Sequence, residues 1–137
     1  MKILIIDTYY NDFLKEIYQK NFISKDNSYE IQKKYLIKSR FGTSDFYSHN
    51  LKKIGVDAKE LIVNCSELQK KWAKENGFSF LDITSKIPHK LFKIPLIRNK
   101  INLIRTDLAI TKKQIKKFRP DVIYCQDLSF FPGDVLD

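Results

Sequence analysis

The chain has 137 residues, is 43% apolar and carries a net charge of +9 from 25 basic and 16 acidic side chains. That length supports one domain with a real core, while 4 glycines exclude a Gly-rich phosphate cradle and 2 cysteines exclude a disulfide framework. The charge suits an anionic partner (nucleic acid, acidic lipid or a phosphorylated small molecule) and equally suits a lysine-rich solvated surface.

Ile3 to Ile6 is an unbroken apolar run closed by Asp7, Thr8, Tyr9 and Tyr10. A β-branched run with polar ends suits a strand buried on both faces, the centre of a parallel sheet. Because this strand begins directly after Met1, no secretory leader is expected. Nor does any apolar run approach the roughly 20 residues of a membrane span. A cytoplasmic protein follows as the expectation, with Cys65 and Cys125 as reduced thiols near strand ends and at most a peripheral contact with the membrane's inner face.

Asn11 to Phe22 reads as a helix with Phe13, Leu14, Ile17 and Tyr18 inward. Asn27 and Glu30 have capping-box spacing and predict a second helix burying Ile31, Tyr35 and Leu36. Thr43 or Ser44 caps a third, with Asp45 in its first turn and Tyr47, Leu51 and Ile54 as its buried stripe. Gly55 stops it in the C′ position. Val56, Ala58 and Leu61 to Val63 then form the second strand, returning a βαβ unit. Ser66 and Gln69 make another capping box, opening a helix through Leu68, Trp72 and Ala73 to Gly77. Phe78 to Ile83 reads as a short edge strand.

Lys86, Lys90, Lys93, Arg98 and Lys100 follow, interleaved with apolar residues and broken by Pro88 and Pro95. This stretch fits a patch on an anionic membrane surface, or a loop pinned by Leu91 and Phe92. Ile101, Ile104, Leu108, Thr111, Ile115 and Phe118 repeat at helical spacing. Pro120 ends that helix, Asp121 to Cys125 forms the next strand, and residues 132–137 read as a helix start at which the chain stops. A truncated two-domain protein is the expectation.

Two strand tips carry the candidate chemistry: Asp7, Thr8, Tyr9 and Tyr10 at one, and Gln126, Asp127 and Ser129 at the other. If both strands are parallel and central, the tips share one crevice. Carboxylates there act as a general base or orient hydroxyls, although Asp7 also fits a plain Asx turn. Thr43, Ser44, Asp45, Ser48 and His49 surround a helix N-terminus able to hold a phosphate or sugar hydroxyls. Capping alone accounts for Thr43, Ser44 and Asp45, and a solvated surface position accounts for His49. His49 and His89 lack zinc-ligand spacing, so neither a metal nor a cofactor is expected. The P-loop, dinucleotide and nucleophile-elbow signatures are all missing from the sequence. With no helix-turn-helix, finger or stacking motif, nucleic acid is a weak candidate partner.

The stretch Arg119-Pro120-Asp121-Val122-Ile123-Tyr124-Cys125-Gln126-Asp127 resembles a strand in the N-terminal half of GT-B glycosyltransferases. The opening ten residues and Phe41 to Asn50, followed by Leu51 to Gly55, are similar to enzymes of the family 4 type and to CgeB-like spore-maturation relatives. The resemblance spans most of the chain. It implies an α/β Rossmann-like parallel sheet flanked by helices, spanning residues 1–137 as the acceptor-side domain. It further implies a hexosyl-transferring enzyme whose missing C-terminal domain holds a nucleotide-sugar donor, so that the fragment alone is inactive. Asp127 and His49 are then the expected catalytic residues. Asp7, Thr8, Tyr9, Tyr10, Thr43, Ser44, Ser48 and Gln126 bind substrate. Where many relatives carry His at the later tip, this chain has Gln126, which hydrogen-bonds but cannot move a proton at neutral pH. Where many have a Gly pair in the first loop, it has Thr8, Tyr9 and Tyr10. The non-enzymatic alternative is a stand-alone α/β module binding an anionic ligand or partner.

Overall fold

The computed structural model describes residues 1–78 and 106–131. Three strands, β1 (Lys2–Asp7), β2 (Asp57–Ile62) and β3 (Val122–Cys125), form a parallel sheet in the order β2-β1-β3. Between β1 and β2 run α1 (Asn11–Gln19), α2 (Tyr29–Lys38) and α3 (Phe46–Lys53). Between β2 and β3 come α4 (Ser66–Glu75) and α5 (Thr106–Phe118), and a 3-10 turn at Leu128–Phe130 follows β3. The expected α/β Rossmann-like architecture is therefore present.

β1 is central because its side chains are apolar toward both layers. Leu4 and Ile6 join Leu61, Val63, Leu108, Phe130 and Phe131 in one cluster, with Ile115 and Phe118 of α5 packed against it. Across the sheet, Ile62 joins Leu14, Ile17, Leu36, Leu68 and Trp72 in a second cluster. Each strand residue sends its side chain to the face opposite its neighbour's, so the run Leu61 to Val63 feeds both clusters, Leu61 and Val63 the first and Ile62 the second.

β3 departs from the expectation. It runs parallel to β1, Ile3 to Ile6 matching Val122 to Cys125, but it is not the buried central strand expected. Val122, Ile123 and Tyr124 are 45%, 40% and 45% exposed, because β3 is an edge strand among the described residues. Tyr124 rests against Tyr47 of α3, ring centroids 5.3 Å apart.

The helices leave the sheet through left-handed residues. α3 ends in a Schellman motif: Gly55 takes φ +80°, its N–H reaches Lys52 O and the Val56 N–H reaches Leu51 O. Gly77 repeats the arrangement after α4 at φ +71°, with Phe78 N–H on Ala73 O. Both glycine stops were legible in the sequence.

The capping boxes were not. Ser28, not Asn27, caps α2, its hydroxyl accepting the Ile31 N–H at 3.4 Å. Asn27 turns back to accept the Ser24 N–H. The buried residues of α2 are accordingly Tyr29, Gln32 and Leu36, while Ile31 is exposed. Gln32 goes inward because its amide has three partners there. It accepts from Tyr18 Oη and donates to the carbonyls of Lys25 and Asn27. In α4 the Gln69 amide donates to Ile62 O, tying the helix to the end of β2 instead of capping, and Ser66 donates to Asp107 on α5.

The proposed edge strand beyond Phe78, His89, Ile101, Ile104, the start of a last helix at 132–137 and the basic residues Lys86, Lys90, Lys93, Arg98 and Lys100 lie outside the described residues. Among the described residues, no helix is long and apolar enough to cross a membrane. Both cysteines are free, Cys65 buried and Cys125 half-buried.

Candidate functional site

From β1 the chain connects to β2 on one flank; from β2 it crosses back to β3 on the other. That reversal in strand order opens a crevice beyond the carboxyl ends of β1 and β3, where open α/β sheets take ligands. Thr8 follows directly on β1, and Gln126 and Asp127 follow on β3. The Gln126 N–H bonds Ile6 O at 2.9 Å, continuing the ladder to the crevice floor.

Two side-chain pairs span the crevice. Thr8 Oγ1 donates to Asp127 Oδ2 at 2.7 Å, and Gln126 Nε2 donates to Thr43 Oγ1 at 2.8 Å. The loop between α2 and α3 thus reaches the tip of β3, which sequence separation alone does not reveal. Asp127 also accepts from the Ser129 hydroxyl at 2.6 Å and the Ser129 N–H at 2.9 Å. The Ser129 hydroxyl, then Thr8, then the Ser129 N–H hold its carboxyl below the usual carboxylate range.

Asp7 is shifted the other way. Burial pushes its carboxyl upward, the nearby charge of Asp127 adds to the rise, and the Thr8 N–H and Thr43 hydroxyl oppose it. The Thr8 N–H bonds Asp7 Oδ1 at 2.8 Å. This bond to the next residue is not the Asx turn expected for the position, whose N–H two residues on, that of Tyr9, goes to Asn64 instead.

Asn64 had no place in the sequence reading, yet it clamps the loop after β1. Its Oδ1 accepts the Tyr9 N–H at 2.9 Å and its Nδ2 donates to Tyr9 O at 2.6 Å. The signal was available: Asn64 is the polar residue ending an apolar strand run, as Asp7 and Gln126 are.

Several expected site residues are not in the crevice. Tyr9 is 3% exposed and packs its ring against Phe13 and Phe41, so it belongs to the core. Tyr10 is exposed on the rim, edge-on to Phe41 at 5.1 Å. Ser44 is buried at φ +49° with its hydroxyl on Ile37 O, so it shapes the loop. Asp45 stands at the N-cap of α3 but makes no side-chain capping bond. Ser48 is 3% exposed and gives its N–H to Glu60 Oε1. Once α3 turns Ser48 toward the sheet, the next residue points about 100° away. His49 is therefore exposed to solvent and does not meet the strand-tip residues. The helix stripe of Tyr47, Leu51 and Ile54 is likewise only partly buried, and Ile54 is 75% exposed.

Glu60 is a second residue the sequence did not single out. It lies 5% exposed on β2, with Oε1 on the Ser48 N–H and Oε2 without a partner. Burial raises its pKa above the usual glutamate value, against the opposing Ser48 hydrogen bonds and Lys33. The folded state therefore holds this proton longer than the unfolded chain does. Stability falls as pH rises from the unfolded-state pKa through the folded one, and the deficit persists at neutral pH. Glu60→Gln removes the titration while keeping an acceptor for Ser48. It should raise the thermal midpoint at pH 7 and flatten the decline on the alkaline side of that window. Thermal scans from pH 4 to 8 check this, and a midpoint lowered equally at every pH would show that the carboxyl itself is needed.

The crevice thus presents two carboxylates, the hydroxyls of Thr8, Thr43 and Ser129, and the Gln126 carboxamide. Acceptors predominate, which suits a ligand that donates hydrogen bonds and disfavours a phosphate. Among the described residues, no group of three or more His, Cys, Asp or Glu side chains is arranged to hold a metal ion. A groove lined by Lys33 of α2, Lys59 and Glu60 of β2 and Lys117 of α5, among others, contains none of the strand-tip residues. Comparison with protein-family models, curated proteins and solved structures finds no match to this chain.

Proposed function

We propose that this chain is the acceptor-side domain of a glycosyltransferase that moves a hexosyl group from a nucleotide-sugar donor to an acceptor hydroxyl. The observation that carries the reading is the hydrogen-bonding array of Asp7, Thr8, Thr43, Gln126 and Asp127 at the switch point of the sheet. It is formed by the stretches whose sequence resembles GT-B enzymes. An array rich in acceptors orients sugar hydroxyls, and the donor's phosphates fall to a second domain, as in GT-B enzymes. The reading goes with a cytoplasmic location and with no transfer by residues 1–137 alone.

The test is an amide NMR titration of the chain with a panel of methyl glycosides and, separately, with inorganic phosphate. Expected are glycoside-induced shifts at Thr8, Gln126 and Asp127. Asp127→Asn should weaken binding about tenfold, the scale of one charge-assisted hydrogen bond. Shifts at these residues from phosphate but from no glycoside would overturn the reading. They would favour the rival, an anion-binding module, for which the +9 net charge speaks.

A further inference from the structure

Two buried side chains away from the crevice are short of partners. Glu60 is 5% and Gln114 7% exposed, and Glu60 Oε2 and both amide atoms of Gln114 have no hydrogen-bond partner among the described residues. Both residues line the groove that β2 shares with α2 and α5, a space of about 470 Å³ on the scale of small-molecule sites. Trp72 and Tyr29, buried as well, line it too.

The walls of the groove carry opposite charge. Side chains alternate across β2, and Leu61 packs with Leu108 of α5 whereas Ile62 packs with Leu36 of α2. Lys59 therefore stands on the α5 side, where it and Lys2 lie over the Phe118 ring. Lys117 joins them from α5 itself, and Asp57, two residues before Lys59, is the acid on that wall. Glu60 stands on the α2 side with Glu30, Lys33 and Glu75, whose carboxylate accepts the Tyr29 N–H. One wall thus sets three lysines against one aspartate, the other three glutamates against one lysine. None of the four lysines forms an ion pair among the described residues.

We infer that this groove binds a dipeptide: Glu60 receives its ammonium, Gln114 its amide, and Lys2, Lys59 and Lys117 its carboxylate. Glu60 Oε2 lacks a donor, which an ammonium supplies. Gln114 lacks one donor and one acceptor, and a peptide N–H and C=O provide both. The three lysines are exposed, open to a carboxylate. A simple anion would pair with the lysines but face the glutamates and leave Glu60 unpaired; a simple cation does the reverse. A zwitterion with an amide between its charges meets both walls and all three unpartnered atoms. The groove shares no residue with the strand-tip crevice, so peptide binding here is independent of the glycosyltransferase reading.

Trp72 is the chain's only tryptophan, so its fluorescence reports on the groove directly. Titration with alanyl-phenylalanine should shift its emission and, in NMR, the side-chain amide signals of Gln114. Acetylating the dipeptide's amine or amidating its carboxylate should each weaken binding about tenfold, the scale of one charge-assisted hydrogen bond. In Glu60→Gln the free and acetylated dipeptides should bind alike. Gln114→Leu should weaken binding while holding or raising the thermal midpoint, because it removes an unpartnered buried amide. Unchanged emission at millimolar dipeptide would overturn the proposal, as would equal binding of the free, acetylated and amidated forms. So would shifts at Thr8 and Gln126 with none at Gln114, which would put the peptide in the crevice. A lowered midpoint in Gln114→Leu would show that the amide serves the fold, and would remove its role in the site.

Discussion

Ile6→Ala should lower the unfolding free energy by about 3–4 kcal/mol, within the range for truncating a core isoleucine. Ile6 is 1% exposed and lies in the central strand, packed in one cluster with Leu61, Leu108, Phe130 and Phe131. Parallel strands on both sides fix its backbone, so the strand cannot shift to fill the space. The cost thus combines lost transfer energy with a cavity that collapses only in part. Urea unfolding should show the loss as a lower midpoint with an unchanged slope. A loss under about 1 kcal/mol would mean that the Phe130–Phe131 segment moves in to fill the gap. The effect should extend to the crevice, because the Gln126 N–H is held by Ile6 O.

The second large effect is expected at a polar residue. Gln32 is fully buried, and its amide joins α1, α2 and the loop between them through Tyr18 Oη, Lys25 O and Asn27 O. Gln32→Leu has nearly the same volume but strands two carbonyls and takes from the Tyr18 hydroxyl its amide acceptor, leaving it only the Cys65 thiol. At about 1–3 kcal/mol for each unsatisfied buried group, partly relieved where water reaches the loop, the loss should be about 3 kcal/mol. Tyr18→Phe alone should cost less, and in the Gln32→Leu background less still, since the hydroxyl no longer has an acceptor to lose. Chemical denaturation of the four proteins in this cycle gives the coupling. Strict additivity would show that the Tyr18–Gln32 bond contributes nothing.

The same contrast separates what was legible in the sequence from what was not. An unbroken apolar run identified β1, because a strand buried on both faces must be apolar throughout, and alternation from Val56 leading into Leu61 to Val63 identified β2. Gly55 and Gly77 marked helix ends because a left-handed C′ residue favours glycine. Polar residues directly after apolar strands located Asp7, Gln126 and Asp127, since a parallel sheet gathers its strand tips on one side. Sequence by itself thus determined the parallel α/β class, most element boundaries and the end of the sheet where ligands would bind.

Tertiary structure decided which side of each polar residue faces a partner. Gln32, Ser48, Glu60 and Gln69 are inside because a carbonyl, an amide or a hydroxyl meets them there, and hydropathy reads all four as surface residues. His49 left the candidate site for the same geometric reason, as the turn of α3 that buries Ser48 rotates it into solvent. Thr43 entered the crevice and Asn64 clamped its rim through contacts 83 and 55 residues apart in the chain. Such pairings depend on how loops close over the sheet, and no periodicity encodes them. Opposite shifts of two aspartates likewise required the fold, because burial and hydrogen-bond donors set a carboxyl's proton affinity, and both are properties of the assembled crevice.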